Sequence, residues 1–311
     1  MRRNLGKAIS LALLLVACGP TKRGHGDDDG DGPDASGGGG DDANTGTDDG
    51  QVAGDNCSDE AKLIYVIDES GPFSQFDPKT KTFKDLGIPN CGTSAKPFSM
   101  AIARDATAWV LYDSGNLYHI DTKNNLACTQ SAWVKNTSGL AKFGMGFSTD
   151  QVGGTTDTLF ISGGASISDS VSKLNRLDLT SFQPTQLGNV TGWPELTGTG
   201  SAELWGFFPS ANNSRISQLS KLNGSELRTF NETNLNNPDP GTGGTTAWAF
   251  AFHGGSFWVF LKKYPVTGNP NQYTKVYQFD ASTGALIGQP LDTTRKIVGA
   301  GVSTCAPVII F

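Results

Sequence analysis

Histidine, helical periodicity and basic charge are all scarce in this chain. Its 311 residues include three histidines, His25, His119 and His253. No two have metal-ligand spacing, so each is read as structural or solvated. The absence of Cys-x-x-Cys argues against zinc or dithiol redox chemistry. There is no G-x-S-x-G for a hydrolase elbow and no G-x-x-x-x-G-K-[ST] for a phosphate cradle. Beyond residue 17 no segment approaches twenty apolar residues, so no membrane-spanning helix is expected. Net charge is −6, and 57–311 carry nineteen Lys/Arg against twenty Asp/Glu. A near-neutral body lacks the basic face that nucleic acid requires, so nucleic acid is not an expected partner. No cofactor is expected.

Residues 1–17 read as a secretory signal, with Arg2, Arg3 and Lys7 before a short apolar stretch from Ala8 to Ala17. Leu15-Val16-Ala17-Cys18, followed by Gly19, resembles the lipobox of bacterial lipoproteins. That resemblance implies cleavage before Cys18 and lipidation of its thiol and new amino group. Several acyl chains at one point make a stable anchor where a single chain does not. The expected location is the bacterial cell envelope, lipid-anchored, and the outer membrane because residue 19 is not aspartate. Four cysteines remain, Cys57, Cys91, Cys128 and Cys305, enough for two disulfides in an oxidising compartment.

Residues 18–56 are rich in Asp and Gly and cannot bury a core, so they are expected to form a disordered tether. Asp27-x-Asp29-x-Asp31-Gly32 matches the first half of a calcium loop. The twelfth position, where a bidentate Glu belongs, is Gly38. Asp27, Asp29 and Asp31 are therefore a weak calcium candidate, and the plainer reading is a self-repelling spacer spanning roughly 35 Å.

Residues 57–311 alternate apolar and polar over short runs separated by turn residues, which indicates an all-β domain. Internal repetition is visible in three columns. In one, a large aromatic centres a strand: Tyr65, Trp109, Phe160, Trp205 and Trp258, at intervals of 44, 51, 45 and 53 residues. A second ends a strand in Asp77, Asp121, Asp178, Ser220 or Asp280, whose short side-chain oxygens suit Asx-type turns. The third carries small residues: "SMAIA" (99–103), "FGMGFS" (143–148), "LTGTGS" (196–201), "WAFAF" (248–252) and "VGAGVS" (298–303). Narrow strands of this kind are needed where sheets converge on an axis, as in a β-propeller, with the aromatics filling the space between blades.

The first aromatic strand lacks a preceding small-residue strand, and the last small-residue strand lacks a successor. A five-bladed ring follows, with the N- and C-terminal strands sharing one blade. A Cys57–Cys305 disulfide would lock that seam, leaving Cys91–Cys128 as the second bridge. Val308 to Phe311 could instead begin a sixth, irregular blade. The repeats resemble those of secreted and periplasmic bacterial β-propellers, including quinoprotein-like and YVTN-type sheets, on the turn "QFDASTG" (278–284). No functional residue follows from that resemblance.

Five insertions, 149–157, 164–171, 209–214, 232–246 and 262–272, are expected to carry recognition, because loops on a rigid scaffold commonly do. Trp133 and Trp193 fall outside the aromatic column and are candidate ligand contacts. The reading is a monomeric binding or scaffolding module for a protein or glycan of the envelope. The alternative is a glycosidase-like hydrolase, which needs paired carboxylates near the inner strands. Asp105, Glu195 and Glu203 lie near them without a recurring pattern.

Overall fold

The computed structural model describes residues 57–236, 245–263 and 272–308. Calls on Cys18 and on Asp27, Asp29 and Asp31 lie outside the described residues. Twenty strands form five four-stranded antiparallel sheets. The first sheet joins β1 (Ile64–Asp68), β2 (Phe73–Asp77) and β3 (Thr82–Gly87) to β20 (Ile297–Gly301). The second holds β4 (Pro97–Ile102), β5 (Thr107–Tyr112), β6 (Leu117–Asp121) and β7 (Ala127–Gln130). In the third are β8 (Lys142–Thr149), β9 (Asp157–Gly164), β10 (Val171–Leu177) and β11 (Pro184–Thr191). The fourth runs β12 (Glu195–Gly198), β13 (Leu204–Phe208), β14 (Arg215–Leu219), β15 (Glu226–Asn231). The fifth is β16 (Thr245–His253), β17 (Ser256–Lys263), β18 (Lys275–Asp280) and β19 (Leu291–Asp292).

The innermost strands pack in the closed order β20, β4, β8, β12, β16 and back to β20. The chain is a five-bladed β-propeller, and β20 completes the blade that β1 begins. Each aromatic of the repeated column pairs across its sheet with a small inner-strand residue: Tyr65 with Gly301, Trp109 with Ala101, Phe160 with Gly146, Trp205 with Thr197 and Trp258 with Ala251. Each aromatic then joins a different one of the five apolar clusters, and each cluster lies between two neighbouring blades. Four of the five are almost fully buried, while Trp109 is half-buried. Burying a large aromatic side chain contributes roughly 2–3 kcal/mol, so this column is a main source of adhesion between blades.

Small inner residues let the inner strands meet. A Cβ on Gly146 would lie 2.7 Å from the Leu196 carbonyl of the next blade. Inner strands have one unpaired edge, and short side chains serve its donors. The Met145 N–H donates to Ser99 Oγ at 3.2 Å and the Phe252 N–H to Thr197 Oγ1 at 3.1 Å.

Turn residues fulfil the Asx expectation. Asp77 Oδ1 accepts the Lys79 N–H (2.8 Å), Asp121 Oδ1 that of Lys123 (3.0 Å), Asp178 Oδ1 that of Thr180 (2.7 Å) and Asp280 Oδ1 that of Thr283 (2.8 Å). Ser220 Oγ accepts the Leu222 N–H at 3.3 Å in the fourth blade. Hydrogen bonds from Ser282 and Thr283 hold the Asp280 carboxyl down to about 2.

Alternating strand directions give the ring two ends. First-to-second and third-to-fourth connections emerge at one, together with the β20–β1 closure: the seam end. Second-to-third connections and those between blades emerge at the other, the insertion end. Cys57–Cys305 bridges the seam and Cys91–Cys128 ties the loop before β4 to β7. Residues 302–308 form no strand, and no sixth sheet exists among the described residues. They instead lie along the seam end, where the Gly254 N–H donates to the Pro307 carbonyl at 2.7 Å.

Candidate functional site

The axis of a propeller is the first place to look for a site. Here the inner strands carry one carboxyl, Glu195 at the start of β12. It is 4% exposed and accepts a hydrogen bond from Ser99 Oγ at 2.8 Å. Burial pushes its carboxyl well above the usual range, against the hydrogen bond from Ser99 that favours the charged form. A single buried carboxyl is not the pair that glycoside hydrolysis uses. Glu203 is engaged elsewhere, accepting Trp205 Nε1–H at 3.0 Å and Gln218 Nε2–H at 3.3 Å. Asp105 caps its own turn through the Thr107 N–H at 2.9 Å.

At the seam end the axis is crossed by a buried polar knot. Arg104 Nε donates to Asp157 Oδ1 at 2.9 Å, and Arg104 Nη2 to Thr149 Oγ1 at 2.9 Å and the Gly154 carbonyl at 3.1 Å. Thr304 Oγ1 donates to Asp157 Oδ2 at 2.6 Å, and Arg104 Nη1 lies 3.6 Å from Cys57 Sγ. Three blades and the closing disulfide therefore meet at one ion pair. Every polar atom in it is used internally, so it is a fastening rather than a receptor.

A groove of about 550 Å³ lies beside that knot, lined in part by Glu203, Arg228 and Asp280. Its charges are also occupied. Arg228 donates to the Ser282 carbonyl and stacks over Phe230 at 4.6 Å, and Asp280 holds its turn.

The insertion end differs. Of the five insertions, 164–171, 209–214, 232–246 and 262–272 belong to connections there, and 149–157 alone belongs to the seam end. A cavity of about 310 Å³ opens between the second and third blades, walled by Asp113, Gly115, Lys135, Asn136, Lys142 and Ile167. Lys135 and Lys142 make no ion pair among the described residues; Lys142 Nζ sits 5.0 Å over the Phe98 ring. These unmatched ammonium groups in a concave wall make this the best-formed candidate site.

Trp133 and Trp193 are not exposed stacking surfaces, which corrects the expectation that they contact ligand. Trp133 is 3% exposed, edge-on to Phe143 at 5.5 Å, and its Nε1–H donates to the Gly115 carbonyl at 3.1 Å. Trp193 is 7% exposed between blades, with its Nε1 unpartnered. Each indole face is spent on inter-blade packing. His253 is likewise structural: Nε2 meets the Lys62 carbonyl at 3.0 Å and burial lowers its pKa. His119 lies against Trp109, with ring centroids 5.4 Å apart. Among the described residues no group of three or more His, Cys, Asp or Glu is placed to hold a metal.

Sequence reasoning set Glu195 near the inner strands without placing it on one, and it missed Lys135 with Lys142 as a pair. Glu195 opens the segment "ELTG", one residue ahead of the small-residue run, and that adjacency was the available signal.

No protein-family model matches the chain, and no curated protein matches it in sequence. Solved structures with similar chains include a Bacteroides caccae protein of unknown function, at 9% identity, covering 77% of this chain and 97% of that one, TM-score 0.39. A functionally unknown protein from Desulfotomaculum acetoxidans is 12% identical, covering 76% and 68%, TM-score 0.40. PorZ, a surface component of the type-IX secretion system of Porphyromonas gingivalis, is 13% identical over 73% of this chain and 32% of its own, TM-score 0.35. Similarity at this level carries no functional argument, and the fold rests on the sheet topology above.

Proposed function

We propose that the protein is an envelope binding module, lipidated at Cys18, held off the membrane by its Asp-rich tether, and recognising a protein or glycan with its insertion end. The carrying observation is the division of labour between the two ends. Four of the five insertions belong to connections at the end opposite Cys57, where the chain enters the propeller, and the cavity lined by Lys135 and Lys142 opens there too. Two disulfides belong to an oxidising, extracytoplasmic compartment, and among the described residues no helix is long and apolar enough to cross a membrane. The glycosidase alternative loses support because the inner strands supply one buried carboxyl, engaged with Ser99.

Two measurements test this reading. Metabolic labelling with an alkynyl palmitate should mark the full chain and should vanish in Cys18→Ser; an unlabelled wild-type chain ends the lipoprotein reading. Photo-crosslinkers installed in the 209–214 loop should capture envelope material, while crosslinkers in the seam-end hairpin 122–126 should not. Equal capture from both ends would remove the insertion end as the recognition surface.

A further inference from the structure

We infer that the cavity between the second and third blades is a subsite for an acidic sugar residue, a saccharide unit bearing a carboxylate. This deepens the binding reading above and rests on it. Three features of the cavity carry the inference.

The first is a prebuilt wall. Gly115 has φ +82°, and a Cβ there would lie 3.1 Å from Lys135 Cβ and 3.3 Å from the Ala141 carbonyl. Bare backbone lets the 131–141 connection lie directly on the 113–116 turn. Trp133 pins the two together through its hydrogen bond to the Gly115 carbonyl. The backbone and Cβ of Lys135 are thus placed before any ligand arrives, which lowers the ordering cost of binding.

The second is an excess of donors. Lys135 and Lys142 have no carboxylate partner, and the Asn136 side chain makes no hydrogen bond among the described residues. Nearby Lys173 Nζ donates to the Ser138 carbonyl at 3.3 Å, again without an anion. An anionic group on the ligand meets that demand.

The third is the rest of the lining, which a bare anion would not use. Asp113 takes the Lys96 N–H on Oδ1 at 3.1 Å, leaving Oδ2 to accept from ligand hydroxyls. Ile167, 48% exposed, offers an aliphatic surface for a ring's C–H face. Anion, hydroxyls and an apolar ring face in about 310 Å³ describe one sugar acid. Inorganic phosphate or sulfate would meet the lysines but leave Asp113 as a repulsive neighbour.

Calorimetric titration of the full chain tests this with four probes: an oligogalacturonate, a neutral oligogalactoside of equal length, inorganic phosphate and an oligoglutamate peptide. The oligogalacturonate should bind at least about tenfold more tightly than each of the others, and its affinity should fall as salt screens the contact. Lys135→Ala with Lys142→Ala should weaken it about tenfold or more. Lys135→Arg with Lys142→Arg should retain it, which separates charge from folding. Unchanged oligogalacturonate affinity in the double alanine variant, or none in the wild-type chain, overturns the inference. Phosphate or oligoglutamate binding as tightly as the uronate also overturns it, assigning the cavity to simple anions or acidic peptides. Crosslinked capture at the 209–214 loop that ignores the lysine variants would leave the broader binding reading standing without this subsite.

Discussion

At the seam end, Arg104 and Asp157 satisfy each other and Thr304 completes the pair; at the insertion end, Lys135 and Lys142 line a cavity with Asp113 and make no ion pair among the described residues. Both ends rest on the same five sheets and the same inter-blade clusters. The insertion end has closed networks of its own, such as Arg295 with Asp68 and Asp85, so the difference lies between these two groups: one is closed on itself and the other is left open. Closed groups hold the ring, and open ones are available to something else.

The comparison can be broken most forcefully through the disulfides. Cys57–Cys305 closes 248 residues and Cys91–Cys128 closes 37. In the chain-entropy account, removing the seam bridge by Cys57→Ser with Cys305→Ser should cost about 5–6 kcal/mol, and removing the other about 1.5–2 kcal/mol less. Denaturant melts of the two double variants check this, and equal losses would mean that the seam is not the principal closure. Next in size is Arg104→Met, which leaves Asp157 buried and uncompensated and should cost about 3 kcal/mol. Adding Asp157→Leu should recover much of that in the same melts.

Acid and base should weaken opposite ends. Burial raises Glu232, in the loop after β15, to about 7. Its folded form holds the proton more tightly than its unfolded form. The stabilisation is therefore whole below about pH 4.5 and is lost as pH rises through about 7, on the order of 1–3 kcal/mol. Glu195, also raised by burial, acts in the same direction. Asp280 at the seam end is lowered to about 2, so its contribution is present above about pH 4 and lost as pH falls through 2. Thermal melts of Glu232→Gln should be flatter between pH 5 and 8, and those of Asp280→Asn flatter between pH 2 and 4. The smallest effect completes the series. Lys135→Ala with Lys142→Ala should leave stability within about 1 kcal/mol, because neither ammonium has an ion pair and only the contact of Lys142 with Phe98 is lost. A larger loss would place those lysines with the fastenings.

Much of the ring is written in short-range pattern. Gly301, Ala101, Gly146, Thr197 and Ala251 stand opposite their aromatics because inter-blade geometry is the same five times, and repetition makes one local rule visible. Asp178 and Asp280 read as turn formers because the bonds they make reach only two or three residues ahead. The axial contact of Glu195 had no such signal: Ser99 lies 96 residues away and no other blade has a counterpart. Trp133 misled for a related reason. It sits in a connection between blades, outside the strand alternation, and its burial depends on a turn 18 residues earlier. Asp113 sits in the turn after β5, Lys135 in the β7–β8 connection and Lys142 at the start of β8, and only the packing of the second and third blades brings them to one cavity. Repeated features were legible, and unique features were not.

Closure at the seam also sets how the molecule responds to pulling. Cys57 is joined covalently to Cys305, just beyond β20, and through the backbone to β1, and those two strands are hydrogen-bonded neighbours. Tension arriving through the chain before Cys57 is therefore divided between two strands of one blade instead of peeling β1 from its edge. Reduction of that single bond would convert a shared load into an unzipping geometry, in which hydrogen bonds fail one after another rather than together.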